Sequence, residues 1–342
     1  MTEHLDRCLE EMARRHVDVL MLGRDANARY VSGARRLWLA GTRAFAPGCA
    51  VVRSTSSVHL LSITDEGIPP EIPPERLYPI SWNPMNIVGA VTGAPGAADA
   101  RRIGVDGLTP LFEQLLRTAL PAAELVDGED LMRAVRRVKS PGDVEAIRGA
   151  IAIAEDALAA AIGALRPGVR ERELLGVFEE RMASHGVTTP AFEGVFAVSV
   201  EDANRRRFSS DRVIEAGDLV TMSAGALADG WEGTLARTWP CGESGPEHRP
   251  AWSRWWATWT TLVDRCRPGV RVGDLRASGG GVDGVGMGHE IVADDDVLEP
   301  GMVVALELWH AGVLGQETLL LTQGGYQPLT LHPHAATAGS PL

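Results

Sequence analysis

Between residues 218 and 239 the chain reads DLVTMSAGALADGWEGTLARTW. Strand-like stretches at 218–224 and 234–239 flank a turn at Asp229, so this part of the chain is an antiparallel pair. Further strand-like runs follow the same logic at 194–200, 302–309 and 317–322, so the second part of the chain is expected to build a sheet. Helices precede it. Ser140, Pro141 and Asp143 supply a cap, a first-turn proline and a first-turn carboxylate. From there Val144, Ile147, Ile151, Ala154, Leu158 and Ile162 recur at three- and four-residue steps until Arg166-Pro167-Gly168 stops the helix. A second helix over 171–184 turns Leu174, Leu175, Phe178 and Met182 inward.

The first part alternates helix and strand. Residues 4–16 read as a charged helix, VDVLML at 17–22 as a buried strand, and 48–63 as two strands around a Ser-rich turn. Short connections between such elements indicate an α/β layer domain. Residues 26–38 read as a polar loop, and the proline-rich segment 66–79 as a surface connector. At 342 residues the chain is roughly twice the size at which single cores prevail. The boundary near Arg136 divides it into 1–135, a smaller α/β domain, and 136–342.

Charge excludes some partners. Lys and Arg number 33 against 45 Asp and Glu, a net charge of -12 with no basic run, so neither nucleic acid nor an anionic membrane is an expected ligand. The N-terminus carries no apolar signal core, and nowhere do about 18 apolar residues run together, so the expected setting is cytoplasmic. The four cysteines form no CxxC pair and read as reduced packing residues. Trp252, Trp255, Trp256, Trp259 and Val263 recur at helical spacing, the mark of a core-facing stripe. A lining for a pocket or a subunit contact is the alternative.

The order of segments RRVKSPGDVEAIRGAIAIAEDAL, RPGVRERELL, DRVIEAGDLVTMSAGA, DGWEGTLART, EPGMVVALELW and QETLLLTQGGYQPLT resembles the creatinase, prolidase and aminopeptidase P family. VDVLML and NARYVSG extend the resemblance more weakly into the first part. It implies a pita-bread α/β (α+β) catalytic domain behind a smaller creatinase-type N-terminal α/β domain, in a homodimer. In metal-dependent members two aspartates, a histidine and two glutamates hold a pair of divalent ions that activate water.

Carried over residue by residue, the resemblance puts glutamates at Glu307 and Glu317. The aspartate positions hold Ser223 and Thr234, and the histidine of a Gly-His-Gly turn corresponds best to Asp283. A further family histidine falls at Arg206 or a neighbour. Neutral hydroxyls bind divalent ions feebly, so neither metal nor any other cofactor is expected. Glu232, two residues before Thr234 and on the same strand face, leaves a shifted single-ion site as an alternative.

Without metal the cleft becomes an acid/base site. Glu307 and Glu317 are expected to be the central pair, with Asp283, Glu232 and His289 assisting. Arg237, Trp231, Ser223, Thr234 and Arg206 are expected to bind substrate. Arg36 and Trp38 join them from the 26–38 stretch, which in the family's dimers reaches toward the neighbouring site. The alternative makes Glu307 and Glu317 strand carboxylates satisfied by Arg237. The expected activity is metal-independent hydrolysis or lysis of a C–N bond in a small molecule. The rivals are a non-catalytic binding protein and an Xaa-Pro-type metallopeptidase with substituted ligands.

Overall fold

A computed structural model describes residues 3–35, 47–200, 208–243 and 245–331. Arg36, Trp38 and Arg206, expected to bind substrate, lie outside the described residues. The chain divides into two compact units, Met1–Arg136 and Arg137–Leu342.

In the first unit the chain runs through α1 (Glu3–Arg14), β1 (Val19–Leu22), α2 (Asp25–Ser32), β2 (Cys49–Val52), β3 (Ser57–Leu61) and β4 (Leu77–Tyr78). It continues through α3 (Pro84–Thr92), β5 (Arg102–Asp106), α4 (Pro110–Ala119), β6 (Glu124–Asp127) and α5 (Gly128–Arg137). The strands order β4-β3-β2-β1-β5-β6, with β1 parallel to β5 and antiparallel to β2. The four residues of β1 are all buried, which is why VDVLML shows no alternation. Part of 26–38 departs from its expected loop. Residues up to Ser32 are helical because Asn27, Ala28, Tyr30 and Val31 form a buried face, and this packing outweighs local polarity. The proline-rich segment runs as a surface connector into β4, a two-residue edge strand, where a missing N–H does least harm.

The second unit opens with α6 (Pro141–Ala164) and α7 (Glu171–Ser184). Ser140 accepts from the Asp143 amide at 3.2 Å, and the Asp143 carboxylate accepts from the Ser140 amide at 2.9 Å, a complete capping box. The sheet is built from β7 (Val195–Val198), β8 (Leu219–Ala228), β9 (Trp231–Pro240), β10 (Gly280–Gly286), β11 (Gly288–Glu290), β12 (Val303–His310), β13 (Val313–Thr322) and β14 (Gly325–Pro328). Between β9 and β10 lie α8 (Arg249–Arg265) and α9 (Val272–Arg276). The order is β11-β10-β12-β13-β9-β8-β7, with β14 on β13. The two strands around Asp229 pair from Leu219↔Pro240 to Ala228↔Trp231, longer than either expected stretch.

Helices cover one face of this sheet. Met222, Ala224, Ala226 and Leu235 pack with Ala154, Leu158, Leu174 and Phe178 of α6 and α7. Val304, Leu306, Leu308 and Leu319 pack with Trp255, Trp259 and Leu262 of α8. The tryptophan stripe therefore belongs to the core. Trp255 and Trp259 stack at 5.1 Å, and the Trp255 indole donates to the Leu308 carbonyl at 3.0 Å. Trp252 and Trp256 are only partly buried beside them.

Candidate active site

Register decides which side chains share a face. Ser223 pairs with Ala236, Ala236 with Gln316, Gln316 with Glu307 and Glu307 with Gly281. Directly paired residues point the same way and neighbours along a strand alternate. The face turned away from α6 and α8 thus carries Ser223, Glu232, Thr234, Gln316, Glu307 and Asp283, the last through its pairing with Ala305. The neighbouring floor is lined with hydroxyls. Ser199 and Thr221 lie 2.7 Å apart there, and the Thr318 hydroxyl donates to the Thr234 carbonyl at 3.1 Å.

Glu317 is not part of that face, which corrects the expected Glu307 and Glu317 pair. It sits opposite Leu306, so its carboxylate points to the helix side, where it is 3% exposed. Arg237 alternates with Ala236 and lies on the same side. Its guanidinium meets Glu317 at 2.9 Å and donates to the Gln316 carbonyl at 2.7 Å. The Thr330 hydroxyl donates to the other Glu317 oxygen. Arg237 and Glu317 satisfy each other inside the core, so Arg237 is turned away from any substrate on the far face. By the same alternation Trp231 points away from Glu232, and its backbone bridges Met287. The residue in register with Glu307 is Gln316, whose amide donates to the Thr234 hydroxyl at 2.8 Å. Gln316 was hidden in the sequence because it adjoins a glutamate of stronger apparent chemistry.

Glu232 is the most perturbed group of the far face. It is 7% exposed, and its Oε2 is buried without a hydrogen-bond partner. Burial, then the charges of Glu290 and Asp283, push its carboxyl up to about 8. The backbone brings these groups together. The Gly288 amide donates to the Gly230 carbonyl at 2.9 Å, and Trp231 bridges Met287, so β11 is tied to the start of β9. Glu290 then ion-pairs with Lys139, whose side chain is 2% exposed. His289 lies on β11 opposite Val285. Glu307 is half-buried and Asp283 is exposed. Lys139 and Glu290 gave no sequence signal beyond a lysine ahead of a helix cap and a glutamate after a histidine.

The chain matches metallopeptidase family M24 over residues 145–327 and the creatinase/prolidase N-terminal domain over residues 4–138. An Xaa-Pro dipeptidase of Pyrococcus horikoshii is 24% identical over 96% of this chain and 97% of its own. A creatinase of a Bacillus species is 24% identical over 97% of this chain and 91% of its own. The crystal structure of the prolidase from Pyrococcus horikoshii OT3 superposes with a TM-score of 0.77 at 22% identity, covering 96% of this chain and 98% of that one. That likeness concerns the fold, a pita-bread sheet behind a creatinase-type N-terminal domain. The chain belongs to metallopeptidase family M24, a family of hydrolases.

The donor set on the far face does not fit the ion pair of the metal-dependent members. Ser223 and Thr234 are neutral, and the Thr234 hydroxyl is engaged by Gln316. The Ser223 hydroxyl is buried with no hydrogen-bond partner and is neutral, whereas two divalent ions, about four positive charges, need anionic oxygens. Among the described residues no group of three or more His, Cys, Asp or Glu side chains is arranged to hold an ion. Also among them, no helix is long and apolar enough to cross a membrane.

Proposed function

We propose that the chain hydrolyses an amide-type C–N bond of a small, peptide-like substrate on the far face of the second unit, without the family's ion pair. The observation that carries this reading is Glu232, a buried carboxyl with a free oxygen that keeps its proton at neutral pH beside other carboxylates. Two carboxyls with separated proton affinities divide into an acid and a base. Glu232 supplies a proton to the departing nitrogen. A second carboxylate of the same face, Glu307 or Asp283, takes the proton of the water that attacks the carbonyl carbon. Ser223, Thr234 and Gln316 offer neutral hydrogen bonds to the substrate. The likeness to an Xaa-Pro dipeptidase supports a dipeptide as substrate, and the likeness to a creatinase supports a small C–N compound. A cytoplasmic homodimer is part of the proposal.

The dipeptidase likeness also favours a second reading, a metallopeptidase that binds its ion through substituted ligands. One experiment separates the two. Dipeptides, including Xaa-Pro, and small amides and guanidino acids are screened against wild type, Glu232→Gln and Glu307→Gln, each with EDTA or with added Mn. Metal-free hydrolysis is expected to survive EDTA and to fall by about 100- to 10,000-fold in Glu232→Gln. Turnover that vanishes with EDTA and returns with Mn establishes the second reading. Ligand binding without turnover in all three proteins establishes a binding module.

A further inference from the structure

Helix α3 turns one face inward and leaves the other uncovered. Ile87, Val88 and Val91 pack in the core of the first unit with Phe112 and Leu116 of α4. The opposite face carries Met85, Asn86, Gly89 and Ala90, all exposed. Trp82, two residues ahead of the helix, is 91% exposed, Met85 50% and Leu111, in the first turn of α4, 57%. Strand β4 runs parallel to β5, so α3 and α4 start at the same edge of the sheet, and these three side chains lie at one end of the helix pair. The turn that carries Trp82 is fixed on both sides of the indole. The Asn83 amide donates to the Ser81 hydroxyl at 3.2 Å, the Asn86 side chain donates to the same hydroxyl at 2.9 Å, and the Met85 amide donates to Asn83 Oδ1 at 3.1 Å. A tryptophan held exposed on an ordered turn is suited to anchor a protein interface, because little freedom remains to be lost when it docks.

Gly89 is an independent sign of the same contact. A glycine inside an exposed helix weakens the helix, and apart from its chain neighbours and its own helix backbone no atom lies within 4 Å of the place a Cβ would take. With Ala90 it leaves room for a second helix to approach closely. Charge selects the occupant. Residues 77–98 include no Asp, Glu, Lys or Arg, although 23% of the chain is charged and its net charge is -12. A strongly charged partner finds no counter-charge there. Two copies of an acidic chain repel wherever their charges face, and a two-fold contact sets one patch against itself, so a charge-free patch lets them meet without that repulsion. We propose that the outer face of α3 is the contact between two copies of this chain, with Trp82 of one copy lying over Gly89 and Ala90 of the other. The inference rests on the homodimer of the proposed function, assigns its surface, and is independent of the role given to Glu232.

The test is sedimentation velocity at micromolar concentration on wild type, Trp82→Ser and Ala90→Glu, with Phe208→Ser, an exposed aromatic residue of the second unit, as control. Wild type and the control are expected to sediment as dimers. Trp82→Ser removes the anchor and raises the dimer dissociation constant by about 30-fold or more. Ala90→Glu sets like charges of the two copies against each other and does the same. Both positions are exposed in the single chain, so circular dichroism of each variant is expected to match wild type. If both variants are as dimeric as wild type, the α3 surface is overturned and the homodimer stands. A wild type that sediments as one chain overturns both, and its binding to vesicles of neutral phospholipid would give the face a lipid occupant instead.

Discussion

Glu232→Gln tests the buried proton through stability, independently of any substrate. The sign follows from the two states. Below about pH 4.5 the carboxyl is protonated folded and unfolded, and the fold incurs no cost. Between 4.5 and about 8 the unfolded chain ionises while the folded one keeps its proton, so stability falls as pH rises. Above 8 both states are ionised and the cost stays constant. At about 1.4 kcal/mol per pH unit, the cost is roughly 3 kcal/mol at pH 7 and at most about 5 kcal/mol at pH 9. Glutamine does not titrate, so the variant is expected to gain on wild type by these amounts as pH rises from 5 to 9. Urea denaturation followed by tryptophan fluorescence suits the question, because seven of the nine tryptophans lie within Arg137–Leu342 and report that unit. A gap between variant and wild type that is the same at pH 5 and pH 9 would refute a proton held on Glu232.

Arg237→Met should cost about 3–5 kcal/mol by stranding Glu317 in the core, with the turnover of the remaining folded molecules unchanged; Glu307→Gln should do the reverse, and matched denaturation and activity assays separate them. Joint replacement Ser223→Asp, Thr234→Asp and Gln316→Glu supplies three anionic oxygen groups to the face of Glu307 and should raise Mn affinity at least tenfold over wild type, read by titration calorimetry. Trp255→Ala removes a stacked ring and its bond to the Leu308 carbonyl, and should lower stability by about 3–5 kcal/mol in urea. Light scattering at micromolar concentration should return twice the mass of one chain, and a single-chain mass would remove the homodimer.

Local signals placed most of the second unit. The Ser140 cap, the 171–184 helix and the strands around Asp229 each follow from caps, periodicity or turn residues that act over a few residues. What the sequence concealed was facing. In LGQETLLL, apolar residues occur on both parities, so nothing local says whether Gln316 or Glu317 turns to the core, and a slip of one residue exchanges the two faces. Only the pairing of Leu306 with Glu317, set by strands far apart in sequence, decides it. The Gly-rich strand β10 escaped for a related reason, since glycines carry no apolar alternation to read. The Lys139 and Glu290 contact joins residues 151 positions apart, beyond any window of periodicity.

Gly233 lies against the middle of α6, where any side chain would overlap the backbone of Ala150 and Ile151. Strand β9 therefore rests directly on the helix, with Glu232 and Thr234 on either side of the point of support. The same helix begins one residue after Ser140, next to Lys139. From Pro141 to Ala150 the helix rises about 14 Å. That length behaves as a ruler between the Lys139–Glu290 ion pair and the strand that carries Glu232. Point changes on the outer surface of α6 leave the ruler intact. Loss or gain of one residue between Ser140 and Ala150 turns Lys139 by about 100° and moves it by about 1.5 Å relative to Glu232. Variation in this part of the chain should therefore be by substitution and never by change of length.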